Sequence, residues 1–225
     1  MTVGLWIHIP AGVAGLLSGA AAFYFRKGSK LHNLAGRVFV WSMMIMTLSG
    51  ALLGYLYNEL DSLLVGLITF YLVVTAWVTS IRKGKKPGLI EYTALLYALT
   101  LGCSAWILAR NMDSIEAQPI YFIGTIALFL AAGDAYTIIR RNRSGMQRIA
   151  RHLWRMGFAY FITVLSIFVG QPELYPESIR ETHLLNVPVY FVIALILFWL
   201  VRVYSSKKFK QANGDIPSNQ RNQKL

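Results

Sequence analysis

Four histidines and a few isolated charges are the residues here whose types and spacing can carry chemistry. His32 and His152 each open an apolar stretch behind a basic linker. His8 and His183 lie at the opposite ends of such stretches. Asp134 falls inside an apolar run and Glu91 opens another, while Arg155 shares a helical face with His152. Imidazoles from facing helices ligate haem iron axially. That chemistry assigns His32 and His152 to one haem b, with His8 and His183 as a second ligand pair. Arg155 then pairs with a haem propionate or with Asp134. A different chemistry draws on the same inner residues: His32, Asp134, His152 and Glu91 are types that hold zinc with a bound water. The zinc reading makes the protein a lipid hydrolase. Proton-coupled transport of a small molecule through the same His, Asp and Glu groups is the companion alternative. A non-catalytic protein assisting a partner complex is the remaining one. No H-E-x-x-H, G-x-S-x-G or phosphate-loop pattern occurs in the chain.

The elements that must position these groups follow from composition. The chain has 225 residues, of which 56% are hydrophobic and only 14% charged. Soluble domains average roughly 45–50% apolar and about 25% charged. A membrane-crossing helix needs about 20 mostly apolar residues. Seven runs meet that length: residues 3–25, 33–57, 63–81, 90–109, 119–139, 149–170 and 184–204. The sixth reaches it only by taking His152 and Arg155 into the helix. The expected fold is therefore all-α, one seven-helix membrane domain over residues 1–206. A basic, polar tail at 207–225 is expected to be disordered. The single cysteine, Cys103, excludes an internal disulfide and a cysteine-based zinc site. The first residues lack a basic leader, so the first run is read as a retained span.

The net charge of +12 sorts by position. Every Lys and Arg except Arg110 and Arg180 falls in alternate connections or at the C-terminal end. Those are the linkers after the first, third and fifth runs, with the last extending to Arg155. The other connections hold Glu59, Asp61, Asp113, Glu116, Glu173, Glu177 and Glu181. By the positive-inside rule the N-terminus is outside and the C-terminus cytoplasmic. The cations then face anionic lipid headgroups of a bacterial inner membrane, and no nucleic-acid partner is needed to explain them. A redox partner or membrane complex is left unnamed.

His8, Gly12, Gly15 and Gly19 share one face of the first helix, and Gly50 and Gly54 are similarly spaced on the second. Small residues at this spacing let helices approach closely in lipid, so His8 is expected to point into the bundle. The inner groups His32, Glu91, Asp134, His152 and Arg155 are expected to form one cluster. Basic linkers ending in His32 and His152 also hint at a repeat of helices one and two in five and six.

The stretch Arg26-Lys-Gly-Ser-Lys-Leu-His-Asn-Leu-Ala-Gly-Arg37 resembles a bacterial family of uncharacterised, predicted multi-pass membrane proteins. Its Lys-Gly-x-x-x-His-x-x-x-Gly motif is matched by Lys27, Gly28, His32 and Gly36, and Arg151-His152-x-x-Arg155 resembles its second motif. More distantly, the histidine arrangement is similar to that of di-haem cytochrome b ascorbate reductases. That resemblance implies haem ligation by paired histidines at both membrane faces.

Overall fold

The computed structural model describes residues 3–82, 87–140, 145–180 and 182–205. The long helices are α1 (Val3–Tyr24), α2 (Lys30–Leu56), α3 (Leu60–Ile81), α4 (Leu89–Ala109), α5 (Ser114–Ile139) and α6 (Gly145–Phe168). Short turns follow, with α7 (Glu177–Arg180) among them, then a 3-10 turn over His183–Asn186, and finally α8 (Val187–Ser205). No strand occurs among the described residues. The expected tail 207–225 lies outside the described residues, as do the linker cations Lys83, Lys85, Lys86, Arg141 and Arg143.

Six helices are long and apolar enough to cross a membrane: α1 to α5, and α8 with its leading turn. The expectation of seven such runs is corrected at α6. At 1.5 Å per residue α6 is about 36 Å long, enough to span. Arg148, Arg151, His152 and Arg155 in its first half make it too polar to qualify by composition. Large apolar side chains face outward along the bundle, including Leu17, Leu96, Phe122, Phe129 and Val201. That is the reverse of a soluble surface, where apolar patches stay small.

Inside, the helices meet through small residues. α1 lies along α2, with Gly12 and Gly15 against Met46 and Met43, and Gly19 against Tyr160 and Phe39. α4 pairs with α5 where Gly102 and Gly124 face one another, with Ala105 beside Gly124. α3 is the hub, in contact with α2, α4, α5 and α6, and α6 is held between α3 and α8. Backbones approach closely at Gly66, where an added Cβ would lie 2.8 Å from both the Ala51 amide nitrogen and the Thr47 carbonyl oxygen of α2. The hinted repeat does not hold. α1 packs along the length of α2, whereas α5 and α6 meet chiefly through two long arginine side chains.

Gly66→Val is therefore expected to push α2 off α3 and cost about 1–3 kcal/mol or more. Gly133→Ala, where an added Cβ meets nothing within 4 Å, is expected to be neutral or mildly stabilising. Thermal unfolding in detergent, followed by circular dichroism, measures both.

Candidate functional site

Three helix faces converge on one buried charge network. α6 brings Arg151 and Arg155 one turn apart on the same face. α3 brings Tyr71, Thr75 and Thr79 at the same repeat, and α5 brings Asp134 and Thr137. Arg155 is 0% exposed and Asp134 2%. Arg155 Nη2 donates to Asp134 Oδ1 at 2.7 Å and to the Tyr71 hydroxyl at 3.2 Å, and its Nη1 donates to Thr75 Oγ1 at 2.5 Å. Arg151 Nη2 also donates to Asp134 Oδ1, and the Tyr71 hydroxyl donates to Asp134 Oδ2. Arg151 Nη1 reaches Thr137 Oγ1 at 2.8 Å. The Arg155 guanidinium also lies over the rings of Tyr71 and Trp154, 5.2 and 5.4 Å from their centroids.

Two guanidinium groups thus share one carboxylate, leaving an excess positive charge in an apolar interior. The Nε atoms of both arginines are buried without a hydrogen-bond partner among the described residues. Such a group survives only when its partners are held in place, because an unpaired buried charge costs several kcal/mol.

The histidines form a different arrangement. His32 Nδ1 lies 3.0 Å from the Ala22 carbonyl oxygen, and His152 Nδ1 lies 3.0 Å from that of Ala76. A carbonyl only accepts, so each Nδ1 donates. The neutral ring then carries its lone pair on Nε2. His32 and His152 sit at matching depth. Phe39 and Tyr160 touch at 6.1 Å between ring centroids, and each lies about two turns, roughly 11 Å, beyond its histidine. His32, Arg148 and Lys27 all bear electrostatically on His152. Gly36 lies one turn beyond His32, and an added Cβ there would meet nothing within 4 Å.

The Lys27-Gly28-x-x-x-His32 stretch folds as a staple between α1 and α2. Lys27 Nζ donates to the carbonyls of Ala22 and Phe23 at 2.8 and 3.0 Å, two of the acceptors left open at the end of α1. Gly28 turns the chain with φ of +81°, a region that glycine occupies without strain. Ser29 caps α2 by accepting from the His32 amide. Burial pushes the Lys27 amine down to about 8.

The expected five-residue inner cluster divides. Asp134 and Arg155 meet, as a pair of buried opposite charges must. His152 lies a turn away but points to Ala76 on α3, near His32. Glu91 bonds outside the cluster, to Arg82 at 2.9 Å and to the Gly88 amide at 2.8 Å, because it caps the start of α4. Among the described residues no three His, Cys, Asp or Glu side chains gather as a metal group. His8 packs against Gly50, with Nδ1 2.9 Å from the Met46 carbonyl oxygen and 3.2 Å from Ser49 Oγ. His183 is exposed at the start of its 3-10 turn. No hydrogen bond joins His8 to His183 among the described residues.

Sequence reasoning missed Arg151, Tyr71 and Thr75. By sequence Arg151 reads as a linker cation and as part of the Arg151-His152-x-x-Arg155 motif, yet its spacing to Arg155 puts both on one face. Tyr71, Thr75 and Thr79 are the matching signal on α3, a polar stripe on an otherwise apolar helix. Compared with protein-family models, curated proteins and solved structures, the chain matches none.

Tyr71→Phe removes a donor from Asp134 and is expected to cost about 1–3 kcal/mol, read from unfolding in detergent. In carbon-13 reductively methylated protein, the Lys27 resonance is expected to titrate near pH 8. Exposed lysines titrate at about 10.4.

Proposed function

We propose that the protein is a seven-span membrane protein of the bacterial inner membrane that binds haem b between His32 and His152. The N-terminus is outside and the C-terminus cytoplasmic. The topology rests on the alternation of charge along the sequence. For α6 as the seventh span, the supporting observation is that Arg155 and Asp134 pair inside the bundle. The polarity that disqualifies α6 by composition is turned away from lipid.

One observation carries the haem reading: the Nδ1 atoms of His32 and His152 both donate to helix carbonyls, at matching depth on neighbouring helices. That hydrogen bond fixes the tautomer and makes Nε2 the better ligand, as in other histidine-ligated metal groups. No Nε2 hydrogen bond occupies either ring among the described residues. Gly36 leaves open space beside His32, and Lys27 and Arg148 supply positive charge for propionates. Arg155 is engaged with Asp134 and is not the propionate partner in this reading. A bound haem would supply one-electron redox chemistry near the cytoplasmic face. The chain's own part is to hold both rings by the carbonyls of Ala22 and Ala76 and to shield the pair from water.

The second haem at His8 and His183 has less support, since His8 is turned onto α2 and His183 is exposed. The zinc and transport alternatives lose their carboxylates, because Asp134 and Glu91 are each held by arginine.

Protein purified after expression with added haem is expected to show a Soret band. His32→Ala and His152→Ala are each expected to abolish the six-coordinate spectrum, and His183→Ala to preserve it. Absence of any Soret band in the folded parent protein, or a spectrum unchanged in both inner variants, overturns the reading.

A further inference from the structure

A cavity of about 220 Å³ lies between α3 and α4, and its lining includes Arg151 of α6. It is separate from the histidine pair, neither ring of which lines it. α4 packs mainly on α5 and touches α3 sparsely, so the slot between α3 and α4 stays open. Exposed Ile90 and Thr93 mark its open side. The remaining walls are largely apolar, with Phe70, Val74, Val78 and Ala94 along them. Its volume is below the roughly 300–1,000 Å³ of sites that enclose a whole drug-sized ligand. It suits a small headgroup and the first part of a chain.

The polar groups decide which headgroup. Every hydroxyl hydrogen in the wall is engaged. Thr75 donates to the Tyr71 carbonyl, Thr79 to that of Thr75, Thr93 to that of Ile90, Tyr97 to that of Leu67, and Tyr71 to Asp134. Glu91 is neutralised by Arg82. Arg151 differs. A guanidinium has five N–H donors, and among the described residues those of Arg151 bond only Thr137 and Asp134. The network it belongs to, Arg151 and Arg155 with Asp134, carries one more positive than negative charge. A wall whose unengaged donors belong to one guanidinium, itself sharing its only carboxylate partner with Arg155, fits an oxyanion.

We propose that this cavity binds a single-chain amphiphile from the bilayer, an alkyl carboxylate, with its headgroup on Arg151. Its chain runs along Phe70, Val74 and Val78 and leaves past Ile90. The headgroup supplies the second negative charge that Arg151 and Arg155 lack. The site is independent of haem binding and stands or falls without it.

The test uses the full chain in a neutral maltoside detergent and a fluorescent polyene fatty acid as probe. Saturable binding is expected, with displacement by dodecanoate. Dodecanol, with the same chain and no charge, is expected to displace at least about tenfold more weakly, and inorganic phosphate not to displace. Arg151→Gln is expected to weaken binding by about tenfold or more. Ala94→Phe, which fills the slot and leaves the charge network intact, is expected to do the same in protein of unchanged melting temperature. Equal displacement by dodecanol shows a merely apolar groove and overturns the proposal. Displacement by phosphate as effective as by dodecanoate shows a free-anion site and also overturns it. So does binding that survives Ala94→Phe.

Discussion

An arginine without exposed surface, in a bundle whose outer face is oil, is the constraint on which the rest of this structure depends. Arg155 cannot shed its proton, and it cannot stay charged in an apolar interior without a fixed partner. Asp134 is that partner, and one carboxylate oxygen accepts from Arg151 as well. Because the three residues sit on α5 and α6, and Tyr71 and Thr75 complete the set from α3, the pairing sets the register of three helices. It also explains why α6, the most polar of the long helices, lies between α3 and α8 rather than at the rim. Its arginine face looks inward and its remaining faces pack.

The histidines follow a separate logic, that of helix carbonyls. His32 reaches a carbonyl near the end of α1, where no intrahelical amide is available to fill it. His152 reaches one inside α3. Lys27 shares the Ala22 carbonyl with His32, and Gly28 and Ser29 form the turn between them. The motif thus has a structural duty that any hairpin could use. What a hairpin does not require is a second imidazole, fixed in the same way, at the same depth on α6. That coincidence is why the pair, and not either histidine alone, supports a bound group.

Much of this was legible in the sequence. The all-helical bundle follows from run length and apolar content. The inward face of α1 was readable from His8, Gly12, Gly15 and Gly19, since small residues at helical spacing mark where another backbone comes close. Asp134 and Arg155 were legible as partners, being ionisable groups within apolar runs. Other features were hidden for physical reasons. Glu91 looked like a member of the inner cluster because its depth is right, but depth does not give azimuth, and it turned to cap its own helix. Arg151 looked like a headgroup cation because it follows a basic linker. Only its spacing to Arg155 betrays that it enters the bundle. Tyr71 and Thr75 are neutral and common in apolar helices, so neither stands out by charge in the sequence. His183 shares a sequence position type with His8 but lies on a turn that periodicity does not orient.

The pairing of Asp134 with Arg155 is tested most directly by a double-mutant cycle on unfolding in detergent. Asp134→Asn and Arg155→Met are each expected to lose about 3–5 kcal/mol, because each leaves charge buried with too few partners. The double variant is expected to lose much less than their sum, with a coupling of about 0.5–3 kcal/mol or more. Additive losses, or a Asp134→Asn protein as stable as the parent, would contradict a charge pair at the centre of the bundle.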